Sequence, residues 1–174
     1  SLWGGWMFPS DSSLALVLPE GESPEDVSAW LARVGLGGTS LVALEGGMKA
    51  WMALGLPYDT FETMSVHEVR QSFPTEAMQL LDVRQPSEWD QGYIRGADYM
   101  FLPEIPQRFG ELDKEKPVIV YCGSGYRASI AVSLLRRGGI DARTVPGSYG
   151  AWLAAGYPIE KPAQAKRASD TVRP

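Results

Sequence analysis

The stretch Val118–Arg127, with the sequence VIVYCGSGYR, decides the fold and contains the one cysteine of the chain, Cys122. Four apolar, β-prone residues run directly into Cys122, a pattern typical of a strand covered on both faces. Gly123 and Gly125 then predict a tight loop, because glycine adopts backbone angles that other residues avoid. Residues 128–135 carry apolar side chains at helical spacing. The sequence therefore places Cys122 between the end of a strand and the start of a helix.

This position predicts a chemical role for Cys122. The first turn of a helix has backbone N–H groups without helical partners, and the helix dipole adds positive charge there. Arg127 adds a full positive charge. We expect Cys122 to be largely thiolate at neutral pH, held by amides that suit a second anionic atom. The alternative is a small buried hydrophobic residue, but the two glycines and the terminal arginine favour a reactive loop.

The loop Cys122–Arg127 resembles the active-site loop of the rhodanese family, which are sulfurtransferases with a single reactive cysteine. Further segments resemble that family in its order along the chain: Leu80–Trp89, Gly92–Ala97 and Val145–Pro158. Together they span residues 64–160. The resemblance implies an α/β fold with a parallel sheet and helices on both faces, which the alternation of strand and helix patterns also predicts.

The resemblance also implies roles for the loop residues. Cys122 would be the nucleophile that takes up a sulfane sulfur from thiosulfate or a persulfide. The substrate-binding residues would be Gly123, Ser124, Gly125, Tyr126 and Arg127. Their amides would hold the transferred sulfur, and Arg127 would orient an anionic donor. Alternatively, Arg127 is a side chain at a helix start that pairs with a carboxylate.

Other residues match the family outside the loop. Three polar residues follow its Asp-x-Arg…Glu pattern: Asp82, Arg84 and Glu88. They either support the site or form an ion-pair network that orders the chain after a strand, and we favour the network. Trp152 either walls the pocket or belongs to the core. Tyr93 and Arg95 replace a histidine and a proline that are common in the family, which leaves the preferred substrate open.

Composition narrows the functional classes. The 174 residues carry a net charge of −5 and contain one cysteine and one histidine, His67. An internal disulfide and a CxxC pair are therefore excluded, a zinc site is disfavoured and no cofactor is expected. The sequence has no basic cluster for nucleic acid and no apolar run of the roughly 20 residues that span a membrane. We expect a cytoplasmic protein.

The chain also contains an internal repeat, because residues 14–57 resemble residues 117–158. In our alignment Pro19 stands opposite Cys122, so the first copy lacks a nucleophile. We predict three parts: residues 1–62 as a partial, catalytically degenerate rhodanese-like half-domain, residues 63–160 as the active-type domain, and residues 161–174 as a polar tail. The half-domain leads us to expect that this chain is a piece of a longer protein.

The partners follow from the same reasoning. A small sulfur donor and an external thiol or cyanide acceptor are expected, because no second cysteine is present to resolve a persulfide. As an alternative, the chain is a persulfide relay or docking module for an upstream metallo-β-lactamase-type hydrolase or dioxygenase domain. A cysteine phosphatase is disfavoured, because the cysteine-to-arginine loop of such phosphatases is one residue longer than Cys122–Arg127.

The two predicted strands of residues 1–62 cannot bury both faces of a sheet. These residues are therefore expected to pack on the second domain or in a homo-oligomer.

Overall fold

A computed structural model describes residues 2–38 and 40–162 of the chain. The chain divides into two compact units between Thr60 and Phe61. Most of the predicted tail, from residue 163 onward, lies outside the described residues. Every helix among the described residues is too short or too polar to traverse a lipid bilayer.

The first unit is a small α/β arrangement. Its helices and strands are α1 (Leu2–Met7), β1 (Leu14–Leu16), α2 (Pro24–Leu31), β2 (Leu41–Ala43) and α3 (Gly47–Ala53). A π-helical turn, Ala32–Leu36, extends α2. The two strands are parallel, with Leu14 opposite Leu41. The sequence pattern did not predict α1. Ser23 caps α2, because its side chain accepts a hydrogen bond from Asp26 N at 3.2 Å.

The first unit buries little apolar surface. Leu36 is its one buried large apolar side chain among the described residues. Trp30, Val42 and Leu54 are 56%, 63% and 74% exposed. A two-stranded sheet offers too little area to cover such side chains, so much of the apolar surface of this unit faces solvent.

The second unit contains a four-stranded sheet. Its helices and strands are α4 (Val66–Ser72), β3 (Gln79–Asp82), α5 (Pro86–Trp89), β4 (Ala97–Tyr99), α6 (Ile105–Arg108), β5 (Val118–Tyr121), α7 (Tyr126–Arg137), β6 (Ala142–Thr144) and α8 (Ser148–Ala154). The 3-10 turns Leu102–Glu104 and Phe109–Glu111 flank α6. The strand order is β4-β3-β5-β6, and all pairs are parallel. The predicted parallel α/β fold is confirmed.

Strand β5 lies inside the sheet, between β3 and β6, and all four of its residues are buried. In register, Asp82 lies opposite Tyr121, so both strands end at the same edge. Cys122 follows β5 at that edge. Ligands of parallel sheets bind beyond the carboxyl ends of the strands, and the fold therefore puts Cys122 where such a site belongs.

Local signals at the helix ends explain their bounds. Ser65 and Glu68 form a capping box at α4, with Glu68 Oε2 accepting a bond from Ser65 N at 2.7 Å. Helix α7 ends at Gly138, and Gly139 has a φ of +82°. Strand β4 was not predicted, since its three residues give too short a pattern to read.

Candidate active site

Cys122 is 1% exposed and lies directly beyond β5. The backbone N–H of Gly125 donates a hydrogen bond to its sulfur at 3.1 Å. Gly125 precedes α7 and has a φ of +116°, which other residues rarely adopt. The loop therefore folds back on the cysteine, and a backbone donor is aimed at the sulfur atom as predicted.

The segment between β6 and α8 holds this loop from the other side. Cys122 N donates to Ser148 Oγ at 3.2 Å, and Ser148 Oγ donates to Val145 O at 3.0 Å. Tyr149 N donates to Cys122 O and Gly150 N to the carbonyl of the next loop residue, both at 2.9 Å. The backbone on both sides of the reactive side chain is therefore fixed. Sequence reasoning gave Ser148 no role.

Arg127 forms a two-pronged ion pair with Glu88. Its Nη1 lies 2.5 Å from Oε2, and its Nη2 lies 2.9 Å from Oε1. These hydrogen bonds hold the pKa of Arg127 above, and that of Glu88 below, their ordinary values. A Cβ on Gly123 would meet Arg127 Nη2 at 3.0 Å, so the guanidinium lies across the loop. The alternative in which Arg127 pairs with a carboxylate is the one found.

Glu88 has a second contact that fixes its position. Its Oε2 accepts a hydrogen bond from Gln85 N at 3.1 Å, as part of a capping box at the start of α5. The carboxylate is therefore held by both a helix start and Arg127. The ion pair ties α5 to the start of α7, close to Cys122.

Asp82 and Arg84 form a buried pair at the end of β3. Arg84 Nη2 lies 2.6 Å from Asp82 Oδ2 and 2.7 Å from Gly92 O. Its guanidinium carbon lies 3.8 Å from the centre of the Tyr149 ring. Burial lowers the pKa of Arg84, but the hydrogen bonds and charge of Asp82 outweigh it and leave the pKa raised. Asp82 and Arg84 therefore form the ion pair that we favoured, and it orders the chain after β3, whereas Glu88, the third expected member of the network, is not part of it.

Trp152 packs in the hydrophobic core and is 3% exposed. Its indole N–H donates to Pro158 O at 3.0 Å. The core residues around it include Val69, Phe73 and Ile119. Of the two alternatives for Trp152, the structure therefore shows the one in which it belongs to the core.

The remaining residues singled out from the sequence are exposed, apart from Tyr93, which is half-buried. Ser124 and Tyr126 are exposed on either side of Gly125. Tyr93 stacks on Trp89 at 3.8 Å. Arg95 forms an exposed ion pair with Glu160 at 3.3 Å. Ser124 and Tyr126 belong to the cysteine loop, whereas Tyr93 and Arg95 contact Trp89 and Glu160 in other segments.

Comparison with known proteins identifies the family. Residues 65–155 match the model of the rhodanese-like domain. The chain belongs to the rhodanese-like family. Its cysteine loop and its parallel sheet both lie within the matched residues.

Individual relatives agree with this assignment. A sulfurtransferase of Allochromatium vinosum is 36% identical over 89 residues, covering 51% of this chain and 83% of the relative. The thiosulfate sulfurtransferase GlpE of Shewanella oneidensis is 26% identical over 97 residues, covering 55% and 96%. The crystal structure of a rhodanese-related protein from Thermoplasma volcanium is similar, with a TM-score of 0.54, 26% identity and coverage of 57% and 98%. At the family level these relatives support a sulfurtransferase.

Proposed function

We propose that this protein transfers sulfane sulfur through a persulfide formed on Cys122. The observation that carries the proposal is the 3.1 Å hydrogen bond from Gly125 N to the Cys122 sulfur. A donor in that position stabilises negative charge on the sulfur atom. The name of the Shewanella relative, a thiosulfate sulfurtransferase, supports the same chemistry.

In the first step the Cys122 thiolate attacks the outer sulfur of the donor. The S–S bond of the donor breaks, and its electron pair leaves with sulfite, for thiosulfate, or with a thiolate, for an alkyl persulfide. A new S–S bond forms on Cys122, so the step is covalent catalysis by an activated nucleophile. No external oxidant or reductant is required.

In the second step an acceptor attacks the outer sulfur of the Cys122 persulfide. A thiolate acceptor becomes a persulfide and cyanide becomes thiocyanate, while the electron pair of the broken S–S bond returns to Cys122. The chain contains no other cysteine. The acceptor therefore comes from outside this chain, as a small thiol or a partner protein.

The surrounding residues would keep the loop in one geometry during both steps. The backbone bonds from Tyr149 and Gly150 hold the carbonyls of Cys122 and Gly123. Held in this way, the loop donors need little rearrangement as charge moves between sulfur atoms, which favours the transition state. Asp82 and Arg84 act as positioning residues through Tyr149, whose ring lies on the Arg84 guanidinium.

A second candidate function is a persulfide relay for a catalytic domain upstream, and the first unit favours it. The order β1, α2, β2, α3 in this unit is the same as the order β5, α7, β6, α8 in the second unit. The strands β1 and β2 are parallel, as are β5 and β6. Trp51 Nε1 donates to Pro57 O at 3.0 Å, as Trp152 Nε1 donates to Pro158 O. These likenesses support a tandem repeat whose first copy has lost its catalytic loop.

Strand pairing corrects our alignment of the two copies by one residue. Leu14 pairs with Leu41 in the first unit, and Val118 pairs with Ala142 in the second. On this register Leu18 corresponds to Cys122, whereas the sequence alignment used Pro19. Neither residue is a nucleophile, so the inference that the first copy is inactive is unchanged.

Turnover measurements test the proposal. The chain is assayed with thiosulfate or glutathione persulfide as donor and cyanide as acceptor, and thiocyanate is measured. An enzyme turns over many times, and Cys122→Ser is inactive. Loading of Cys122 without multiple turnovers would favour the relay. Equal turnover by wild type and Cys122→Ser would contradict both functions.

A further inference from the structure

We propose that Glu88 determines which sulfur donors the site accepts. By compensating the charge of Arg127, it favours a donor of low charge, an alkyl persulfide, over dianionic thiosulfate. This inference rests on the proposed function and narrows its substrate class. It follows from the ion pair between Glu88 and Arg127. The resemblance had implied that Arg127 binds substrate and that Glu88 supports the site.

The contact geometry leaves little of the Arg127 charge for a ligand. Both terminal nitrogens of the guanidinium face the two carboxylate oxygens of Glu88, at 2.5 and 2.9 Å. The side chain of Arg127 is 12% exposed and that of Glu88 is 32% exposed, so water screens this pair less than it screens a pair at the surface. A two-pronged pair of this kind is among the stronger charged contacts in proteins. A dianion would have to compete with Glu88 for Arg127.

Neither Arg84, nor the segments that form and hold the loop, nor the rest of α7 offers a cation that could replace Arg127. Arg84 is 2% exposed and is bound to Asp82. The segments 122–126 and 145–151, which form and hold the loop, contain no lysine or arginine. The next arginines of α7 are Arg136 and Arg137 in its last turn, about 14 Å along the helix at 1.5 Å per residue. The loop therefore offers backbone donors and one compensated guanidinium.

The two donor classes make different demands on such a site. Attack of a thiolate on thiosulfate brings three negative charges together and releases dianionic sulfite. Attack on an alkyl persulfide in its protonated form brings together one negative charge and releases a monoanionic thiolate. Repulsion between close charges is strong where water is excluded. Without a free cation, the thiosulfate reaction is disfavoured relative to the persulfide reaction.

The test compares Glu88→Gln with wild type for both donors. Glutamine keeps the side-chain shape and an oxygen for the Gln85 N–H, but it removes the charge that compensates Arg127. The rate of Cys122 loading is measured by rapid quench and mass spectrometry, with thiosulfate and with glutathione persulfide. We expect the thiosulfate rate constant to rise about tenfold and the persulfide rate constant to change less than about threefold, because charge repulsion falls mainly for the dianion.

The matched control is Glu76→Gln. Glu76 is exposed and precedes β3, at the end of the sheet opposite Cys122. The control changes net charge equally, so its ratio of thiosulfate to persulfide rates should match wild type. An equal change of that ratio in both variants would overturn the proposal. Comparing ratios removes the difference in intrinsic reactivity between the two donors.

A second variant, Arg127→Gln, should change the ratio of thiosulfate to persulfide rates in the opposite direction. It leaves the Glu88 carboxylate without its cation, so the ratio of thiosulfate to persulfide rates should fall below that of wild type. An unchanged ratio in both Glu88→Gln and Arg127→Gln would overturn the assignment of Glu88.

If neither donor loads wild-type Cys122, the proposed function itself fails. If both donors load and the ratios stay constant, only the selectivity proposal fails.

Discussion

The hydroxyl of Ser148 accepts a hydrogen bond from the backbone N–H of Cys122 at 3.2 Å. Ser148 is fully buried and has a φ of +51°, a conformation that residues with a Cβ rarely adopt. In the repeat that we propose, the corresponding residue of the first unit is Gly47, where an added Cβ would lie 2.4 Å from Leu18 O. The strained serine is therefore particular to the unit that carries the cysteine, and we infer that it positions the reactive loop.

Replacement of Ser148 should separate stability from activity. Ser148→Ala retains the strained backbone and leaves the buried Cys122 N–H unpaired, which costs about 1–3 kcal/mol. Ser148→Gly also loses the bond but relieves the strain, so it should be the more stable variant. We expect both variants to load sulfur more slowly than wild type. Urea denaturation and loading rates measure the two effects.

Two results would speak against this role for Ser148. One is a Ser148→Gly variant that loads Cys122 as fast as wild type, since the hydroxyl would then have no effect on the loop. The other is a Ser148→Gly variant that is less stable than Ser148→Ala, since relief of strain would then be absent.

The conformation of Gly125 should matter for activity more than for folding. Gly125→Ala places a Cβ at a φ of +116°, which costs about 1–3 kcal/mol or shifts the loop. Gly139→Ala is the matched control, because Gly139 has a φ of +82°, has no atom near its added Cβ and follows the far end of the same helix. We expect both to lower stability, but only Gly125→Ala to slow sulfur loading.

Removal of one partner of the buried pair of Asp82 and Arg84 should destabilise the protein. Arg84→Met leaves a fully buried Asp82 carboxylate without its cation, which should lower the free energy of unfolding by about 3–5 kcal/mol. The double variant Asp82→Asn, Arg84→Met removes both charges and should be more stable than Arg84→Met alone. Urea denaturation at neutral pH measures this. A single variant as stable as wild type would show that the pair does not order the chain.

The ion pair of Glu88 and Arg127 predicts a pH dependence. The folded state lowers the pKa of Glu88 below its usual 4.5, chiefly through the hydrogen bonds of Arg127. A lowered carboxyl pKa stabilises the protein above the unfolded value, and that contribution is lost as pH falls through the folded value. The difference in unfolding free energy between wild type and Glu88→Gln should therefore be constant near neutrality and shrink in acid.

Denaturation at several pH values measures that difference. Other carboxylates with a lowered pKa, such as Glu68, occur in both proteins, so their contributions cancel. A difference that stays constant down to about pH 3 would contradict the ion-pair account, since the unfolded state takes up a proton on this carboxyl below its usual pKa of 4.5 and the contribution must then fall.

The sequence predicted those parts of the fold and site that are local in the chain. The run into Cys122 and the two loop glycines act within a few residues, and each lies as predicted. The pairing of Arg127 with Glu88 could not be read in this way, because 39 residues separate them and only the fold brings them together.

The role of Ser148 was hidden for a similar reason. Its partner is a backbone N–H 26 residues away, and backbone atoms leave no signature in the sequence. One signal was available: in the proposed repeat the first copy has a glycine at this position, and a serine there adopts a φ that favours glycine. Strand β4 and helix α1 were missed because short segments carry little periodicity.

The mass of the intact protein after incubation with glutathione persulfide tests the central claim most directly. We predict a gain of one sulfur atom on wild type, located at Cys122 by peptide mapping and removed by cyanide with return of the original mass. Cys122→Ser should gain nothing under the same conditions. A wild-type protein that gains no sulfur from glutathione persulfide or from thiosulfate, or a Cys122→Ser variant that gains as much as wild type, would contradict the account.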